Sequence, residues 1–233
     1  MLPIETAALM VLINIVPVLV LWHLAWPYWE RRYMTNARKE ELESKRLEKS
    51  MVGLAPKIWR VASDIIIITL PILLVIDGIV LKIGIFYSPY LSFFNPYDSY
   101  LQIAGLIISL VGIIIMTIAE RTVTEHVYAK AATERKILKT GLFAYIRHPL
   151  YLSFILVPLG ILLMSLNYLC ILLFAAFTVF TDSDLRECGR EGKFTFITTS
   201  IGCEEKGLIK IYGKNYEEYM KKTGRLLPRF RKK

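Results

Sequence analysis

Residues 150–181 form an apolar run of 32 residues, and its length constrains the fold more than any other feature of the chain. As one straight helix it would reach about 48 Å, against a hydrocarbon layer of about 30 Å. The run must therefore divide. Leu166-Asn167-Tyr168 is the natural break, because Asn tolerates a tight turn and the neighbouring aromatic favours the membrane interface. The expected product is a helical hairpin. Residues 2–26, 61–81 and 100–119 supply three further apolar runs, in a chain that is 55% hydrophobic. The first has neither a basic start nor a clear small-residue cleavage site, so it reads as a retained anchor rather than a signal peptide.

Charge placement tests this count independently. Lys and Arg number eight in residues 27–59, none in 83–99, six in 120–149 and thirteen after residue 181. Five spans put all three basic segments on the cytoplasmic side and the bare loop outside; four would put the thirteen-cation tail outside. The expectation is an all-α, polytopic integral membrane protein with about five transmembrane helices. Its amino terminus lies outside, and a small cytoplasmic cap is formed by the third loop and the tail. Residues 1–119 would hold the first three spans with a charged cytoplasmic loop at 27–60. Residues 120–233 would hold the core that carries the chemistry.

The net charge of +9 borders the apolar runs, and no nucleic-acid motif accompanies it. Topology and anionic lipid headgroups account for it better than nucleic acid does. Cys170, Cys188 and Cys203 have neither the pairing of a disulfide framework nor the spacing of a zinc site, and a reduced compartment suits them. Asp64 and Asp77 lie near opposite ends of the second run, where solvation among headgroups is expected.

Two constellations carry candidate chemistry. The first is Gly141-Leu142-Phe143-Ala144-Tyr145-Ile146-Arg147-His148-Pro149-Leu150-Tyr151, where a polar loop meets the long apolar run. Pro149 suits the first turn of a helix, since the amide it lacks would have had no partner there. Amides at that start are expected to be open to a ligand. The second is Glu204-Glu205, followed by Leu208, Tyr212-Gly213, Tyr216 and Tyr219, with Gly224-Arg225-Leu226-Leu227-Pro228-Arg229 closing the tail. Glu204, Leu208, Ile211 and Tyr212 share a helical face, Gly213 can end that helix, and Tyr216 and Tyr219 suit packing of a short following helix. A carboxylate pair at a helix start suits the dipole and can hold a cationic group.

In this order, and separated by a hairpin, the two blocks resemble those of the isoprenylcysteine carboxyl methyltransferases and the related membrane phospholipid methyltransferases. The resemblance covers about the last hundred residues. It implies S-adenosylmethionine as cofactor, bound on the cytoplasmic side beside a cavity open to lipid, with no metal. It implies that His148, Pro149 and Tyr151 line the cofactor, that Glu204 closes it from below, and that Lys136, Ile137 and Leu138 meet its adenine or ribose.

Chemistry makes those roles reasonable. The cofactor carries a sulfonium, an ammonium and a carboxylate, so its site needs an anion, a cation or amide donors, and an apolar slot for adenine. Glu204 or Glu205 suits the ammonium; Arg147 and open amides suit the carboxylate; Phe143, Tyr145 or Tyr151 suit the base. A carboxylate acceptor is ionised at neutral pH and needs no general base, whereas an amine would need deprotonation, for which His148 is the candidate. The chain departs from the family pattern at residues 182–203. The arginine that meets substrate there has Arg186 and Arg190 as candidates, Gly189, Gly192 and Gly202 suggest a loop, and residues 194–199 read as a short strand or a lipid-dipping segment. The expected partners are a lipidic or prenylated acceptor and membrane lipids, with no oligomeric state specified. The alternatives are a phospholipid N-methyltransferase, a sterol-type membrane reductase, and a non-enzymatic transporter or scaffold; no internal repeat supports the transporter.

Overall fold

The computed structural model describes residues 2–20, 28, 69, 72–82, 97–126, 137–166, 179–181 and 194–229. Their helices are α1 (Ile4–Val20), α2 (Ile72–Leu81), α3 (Asp98–Glu125), α4 (Pro149–Ser165), α5 (Ile197–Tyr212) and α6 (Lys214–Lys222), with a 3₁₀ turn at Gly141–Ala144. Among the described residues the all-α expectation holds but for one pair of three-residue strands, β1 (Val179–Thr181) and β2 (Phe194–Phe196). The strand expected at 194–199 thus stops at Phe196. Helix α5 takes over at Ile197 and runs through Gly202, so no loop occurs there.

Among the described residues, α3 is the one helix long and apolar enough to cross a bilayer. Tyr100, Ile103, Ile107, Val111, Ile114 and Ile118 recur every three or four residues as its exposed stripe, a face without charge. The second arm of the expected hairpin, the other ends of the expected spans, and Asp64 lie outside the described residues.

The chain forms two compact units. In the first, which takes residues 2–20, 72–82, 97–114 and 153–166, the core is built from Ala7, Ala8 and Val11 of α1, Leu74 of α2, Ile113 of α3, and Val157, Ile161 and Met164 of α4. Small residues let α3 and α4 approach closely. A Cβ on Gly160 would lie 2.5 Å from the Gly105 carbonyl oxygen and from Ser109 Cβ, and one on Gly105 would lie 2.7 Å from the Gly160 carbonyl oxygen. Buried Gln102 bridges this contact, accepting from the Leu2 amide at 2.8 Å and donating to the Met164 carbonyl at 3.0 Å. The Met164 carbonyl belongs to the last turn of α4, where the helix offers no partner of its own.

Helix α4 begins and ends where local chemistry says it should. Pro149 opens it, and Leu166, with φ of +50°, ends it by a left-handed turn in which its amide returns to the Leu162 carbonyl at 2.9 Å. Asp77 departs from expectation. It sits in the π-helical stretch Ile76–Leu81 at 2% exposure, buried rather than solvated, because the wider π turn rotates it inward beside Gly78.

Two glycine substitutions should part company. Gly160→Ala should lower the thermal unfolding midpoint of the detergent-solubilised protein, at a cost of about 1–3 kcal/mol, because backbone lies where the methyl must go. Gly202→Ala, in mid-helix with nothing within 4 Å of the new carbon, should instead raise stability by about 0.5–1 kcal/mol.

Candidate functional site

The second unit takes, of the described residues, 28, 115–126, 137–152, 180–181 and 194–229, and it brings both sequence constellations together. Gly141 enters the 3₁₀ turn with φ of +59°, a left-handed value that a β-carbon would strain. The turn closes through Phe143 N to Thr140 O at 3.1 Å and Tyr145 N to Leu142 O at 3.0 Å. Buried Tyr219 donates its hydroxyl to the Phe143 carbonyl at 2.5 Å, tying the turn to α6. Burial pushes the Tyr219 phenol up to about 12, against the opposing charge of Arg147, so it stays a donor. Burial, followed by the charges of Glu205 and Glu204, pushes the neighbouring Tyr216 phenol up as well.

Beyond the turn, the tail lies along the chain as a strap. Gly224 N donates to Tyr145 O at 3.1 Å, Arg147 N to Gly224 O at 2.9 Å, and His148 N to Arg225 O at 3.1 Å, in a parallel bridge between Ile146 and Gly224. Of the amides near Pro149 that were expected to be open, those of Arg147 and His148, just ahead of the helix, are thus occupied by the tail. Gly224 permits the strap to turn, since a side chain there would fall on the Leu227 carbonyl.

Glu205 is the centre of the site. One oxygen accepts from Arg147 Nε at 2.8 Å and faces His148 Nε2 at 3.3 Å; the other accepts from Arg225 Nε at 3.1 Å and also from Arg225 Nη2. Its side chain is 4% exposed. Burial alone would raise its pKa, but hydrogen bonds from His148, Arg225 and Arg147 outweigh that and hold the carboxyl well below the usual range. The same pair raises the Arg225 guanidinium. Arg147 also donates through Nη1 to the carbonyls of Met220 at 3.0 Å and Thr223 at 2.5 Å. It therefore caps the carboxyl end of α6, where unpaired carbonyls and the helix dipole both favour a cation.

Glu204 and Glu205 have separate roles because consecutive helical residues point about 100° apart. Glu205 faces inward; Glu204, 46% exposed, faces outward with one oxygen 3.6 Å from His148 Nδ1. The pair sits in the middle of α5, not at a helix start, because the helix begins seven residues earlier. Residue Cys203 beside them is disulfide-bonded, contrary to the expectation of reduced thiols. His148 is buried and meets Tyr151 edge-on, with ring centroids 5.7 Å apart.

Arg147, His148, Glu204, Glu205 and Tyr151 are thus gathered, with Pro149 buried at the helix start and Phe143 buried in the turn held by Tyr219. Tyr145 is largely exposed, and Ile137 and Leu138 are half-buried just ahead of the turn. Lys136, Arg186 and Arg190 lie outside the described residues. Sequence reasoning missed the role of Arg225. The available signal was a Gly-Arg pair two residues after a basic helix end.

Residues 65–223 match a family model described as "Protein of unknown function (DUF1295)". A methanethiol S-methyltransferase of Bradyrhizobium diazoefficiens is 30% identical over 106 residues, which is 46% of this chain and 31% of that one. Protein-S-isoprenylcysteine O-methyltransferases of Schizosaccharomyces pombe and Saccharomyces cerevisiae are 26% and 29% identical over 113 residues. Each of those matches takes 48% of this chain and covers 42% and 41% of the relative. The chain therefore spans less than half the length of these relatives, and the two yeast matches bear out the resemblance read from the sequence blocks.

The Glu205 cluster makes stability acid-sensitive in a stated direction. A carboxyl held below its ordinary value contributes stability that is complete above about pH 4.5 and is lost as pH falls through the folded value. Glu205→Gln should remove that acid dependence in thermal melts. At neutral pH it should cost about 3–5 kcal/mol, because Arg147 and Arg225 lose their counter-charge. Gly224→Ala should unseat the strap and make the amides of Arg147 and His148 exchange with solvent hydrogen markedly faster.

Proposed function

The chain belongs to the family described as "Protein of unknown function (DUF1295)", and we propose that it is an S-adenosylmethionine-dependent membrane methyltransferase acting on a lipidic acceptor. The observation that carries this reading is the clamped histidine: His148 is buried at the start of an apolar helix, between the anchored carboxylate of Glu205 and the outward one of Glu204.

The side chains present fit the cofactor. Glu204 offers a half-exposed carboxylate to its cationic groups, and exposed Tyr145, with Phe143 and Tyr151, offers aromatic surface for the base. When bound, the cofactor supplies an electrophilic methyl on a positively charged sulfur. The residues of this chain then have three tasks: bind its charged end, fix its orientation, and keep water from the acceptor. Glu205 is spent on Arg147, His148 and Arg225, so it orients the others rather than binding the cofactor. His148 is held by that bond with its other nitrogen toward Glu204, which fixes the ring without requiring it to move a proton.

For the acceptor, the carboxylate of a prenylated cysteine is the leading reading, since it needs no general base and its chain can enter from lipid. The yeast matches support it. A small thiol is a second reading, supported by the methanethiol S-methyltransferase match. A phospholipid amine remains the alternative that would ask His148 to accept a proton. In this reading the site faces the cytoplasm in a five-span arrangement with the amino terminus outside, which the charge bias of the connecting segments supports and the Cys203 disulfide opposes.

Titration calorimetry of the detergent-purified protein with S-adenosylhomocysteine tests the cofactor class. Binding should be measurable in the wild type and weakened at least about 10-fold in His148→Ala and in Glu204→Ala. A folded wild type that gives no heat would sink the methyltransferase reading. Transfer of labelled methyl to S-farnesylcysteine, methanethiol or phosphatidylethanolamine then separates the acceptors, with S-farnesylcysteine expected to be labelled.

A further inference from the structure

The cofactor's charged end carries an ammonium and a carboxylate on one carbon, so its site needs an anion and a cation close together. Glu204 supplies the anion. The cation expected from the sequence, Arg147, is committed elsewhere. Its Nε and both Nη1 hydrogens go to Glu205, Met220 and Thr223; Nη2 alone meets no partner among the described residues, but the side chain is only 9% exposed. The amides of Arg147 and His148 are spent on the tail.

Arg225 is differently placed. A guanidinium has two edges that can grip a carboxylate with paired bonds: a side edge from Nε and one terminal nitrogen, and an end edge from the two terminal nitrogens. Glu205 takes the side edge of Arg225, through Nε and Nη2. The end edge remains, Nη1 meets no partner among the described residues, and the side chain is 46% exposed. Glu205 also fixes the group's position, so little rotamer freedom is left to lose on binding.

Glu204 and Arg225 are moreover anchored across one imidazole ring. Glu204 faces His148 Nδ1, while Arg225 grips the carboxylate that faces His148 Nε2. Opposite charges are thereby held on either side of the residue that the proposed function puts against the cofactor. Lys139, an exposed cation, lies over the Tyr219 ring at 5.8 Å and as a point charge lacks a paired edge.

We propose that the end edge of Arg225 binds the carboxylate of the cofactor's amino-acid group, making this tail arginine, and not Arg147, the cofactor's cationic contact. The inference rests on the methyltransferase reading. It is tested by calorimetry with two ligands, S-adenosylhomocysteine and its analogue lacking only the carboxyl group, against wild type, Arg225→Ala, Arg225→Lys and Arg229→Ala.

The wild type should prefer the complete ligand by about 10–100-fold, the worth of a charge-assisted pair. Arg225→Ala should lose that preference, so that the complete ligand binds no tighter than the analogue, whatever both lose through Glu205. Arg225→Lys, which cannot grip Glu205 and a ligand together, should retain only part of it and serves in its place if the alanine variant does not fold. Arg229→Ala removes a charge from the same tail, where Nη1 donates to the Lys221 carbonyl, and should behave as wild type. Equal weakening of both ligands by Arg225→Ala would overturn the proposal, since Arg225 would then act only by positioning Glu205. Unchanged affinity for both would overturn it too. A wild type that binds neither ligand would instead fail the underlying function.

Discussion

One carboxylate holds the candidate site together. Glu205 accepts from Arg147 and His148, which end the polar turn, and from Arg225, which lies 20 residues further along in the tail. Bringing an ionised carboxyl to 4% exposure is unfavourable by several kcal/mol, and only complete satisfaction of its lone pairs offsets that. The two arginines and the ring nitrogen supply it. Because the donors come from two segments and the acceptor from a third, the bonds cannot form until the turn, α5 and the tail are all in register. The same requirement explains why Arg147 also takes the carbonyls of Met220 and Thr223: the group that neutralises Glu205 locks the end of α6 as well.

Helical phase then assigns different work to neighbouring identical residues. Glu205 is fully engaged and can only orient; Glu204, about 100° around the axis, keeps an outward carboxylate. A single glutamate could not do both, because a buried anchor has no lone pair to offer a ligand. Arg147 and Arg225 divide in the same way. The buried one caps a helix, and the half-exposed one grips Glu205 by one edge and leaves the other edge outward. In each pair one member fixes geometry and the other faces outward, an arrangement suited to electrostatic recognition without reorganisation on binding.

How far the sequence could be read follows from the range of the interactions. Pro149, Gly213 and Leu166 mark helix ends through backbone chemistry within one turn, and all three were legible. Tyr216 and Tyr219 were legible as packing residues because their spacing is local. The burial of Asp77 was not, since a π turn shifts helical phase without any residue type to announce it. The position of the glutamates in mid-helix was also missed: Gly202 reads as a breaker, yet it costs only about 1 kcal/mol in a helix whose Ile201 and Cys203 are buried. The occupancy of the Arg147 and His148 amides depends on a tail more than seventy residues away, and no local rule reaches that far. Arg225 was legible as part of the tail block, but its reach to Glu205 was not, for the same reason.

Stability alone does not account for this cluster. Replacing a buried ion pair by well-packed apolar groups is often neutral or stabilising, so a methyl-lined contact could have joined the same segments at lower cost. What an apolar contact would lack is direction. Hydrocarbon surfaces slide, whereas His148 Nε2 facing one glutamate oxygen and Arg225 gripping the other leave the imidazole a single orientation, with Nδ1 toward Glu204. Such directionality suits a side chain that presents one particular edge, as the proposed function asks of His148. The cluster lies at the first residue of α4, where the chain passes from polar turn to a 17-residue apolar helix. In the proposed function, that boundary is where a ligand with charged and apolar ends would meet charges that the buried carboxylate holds in place.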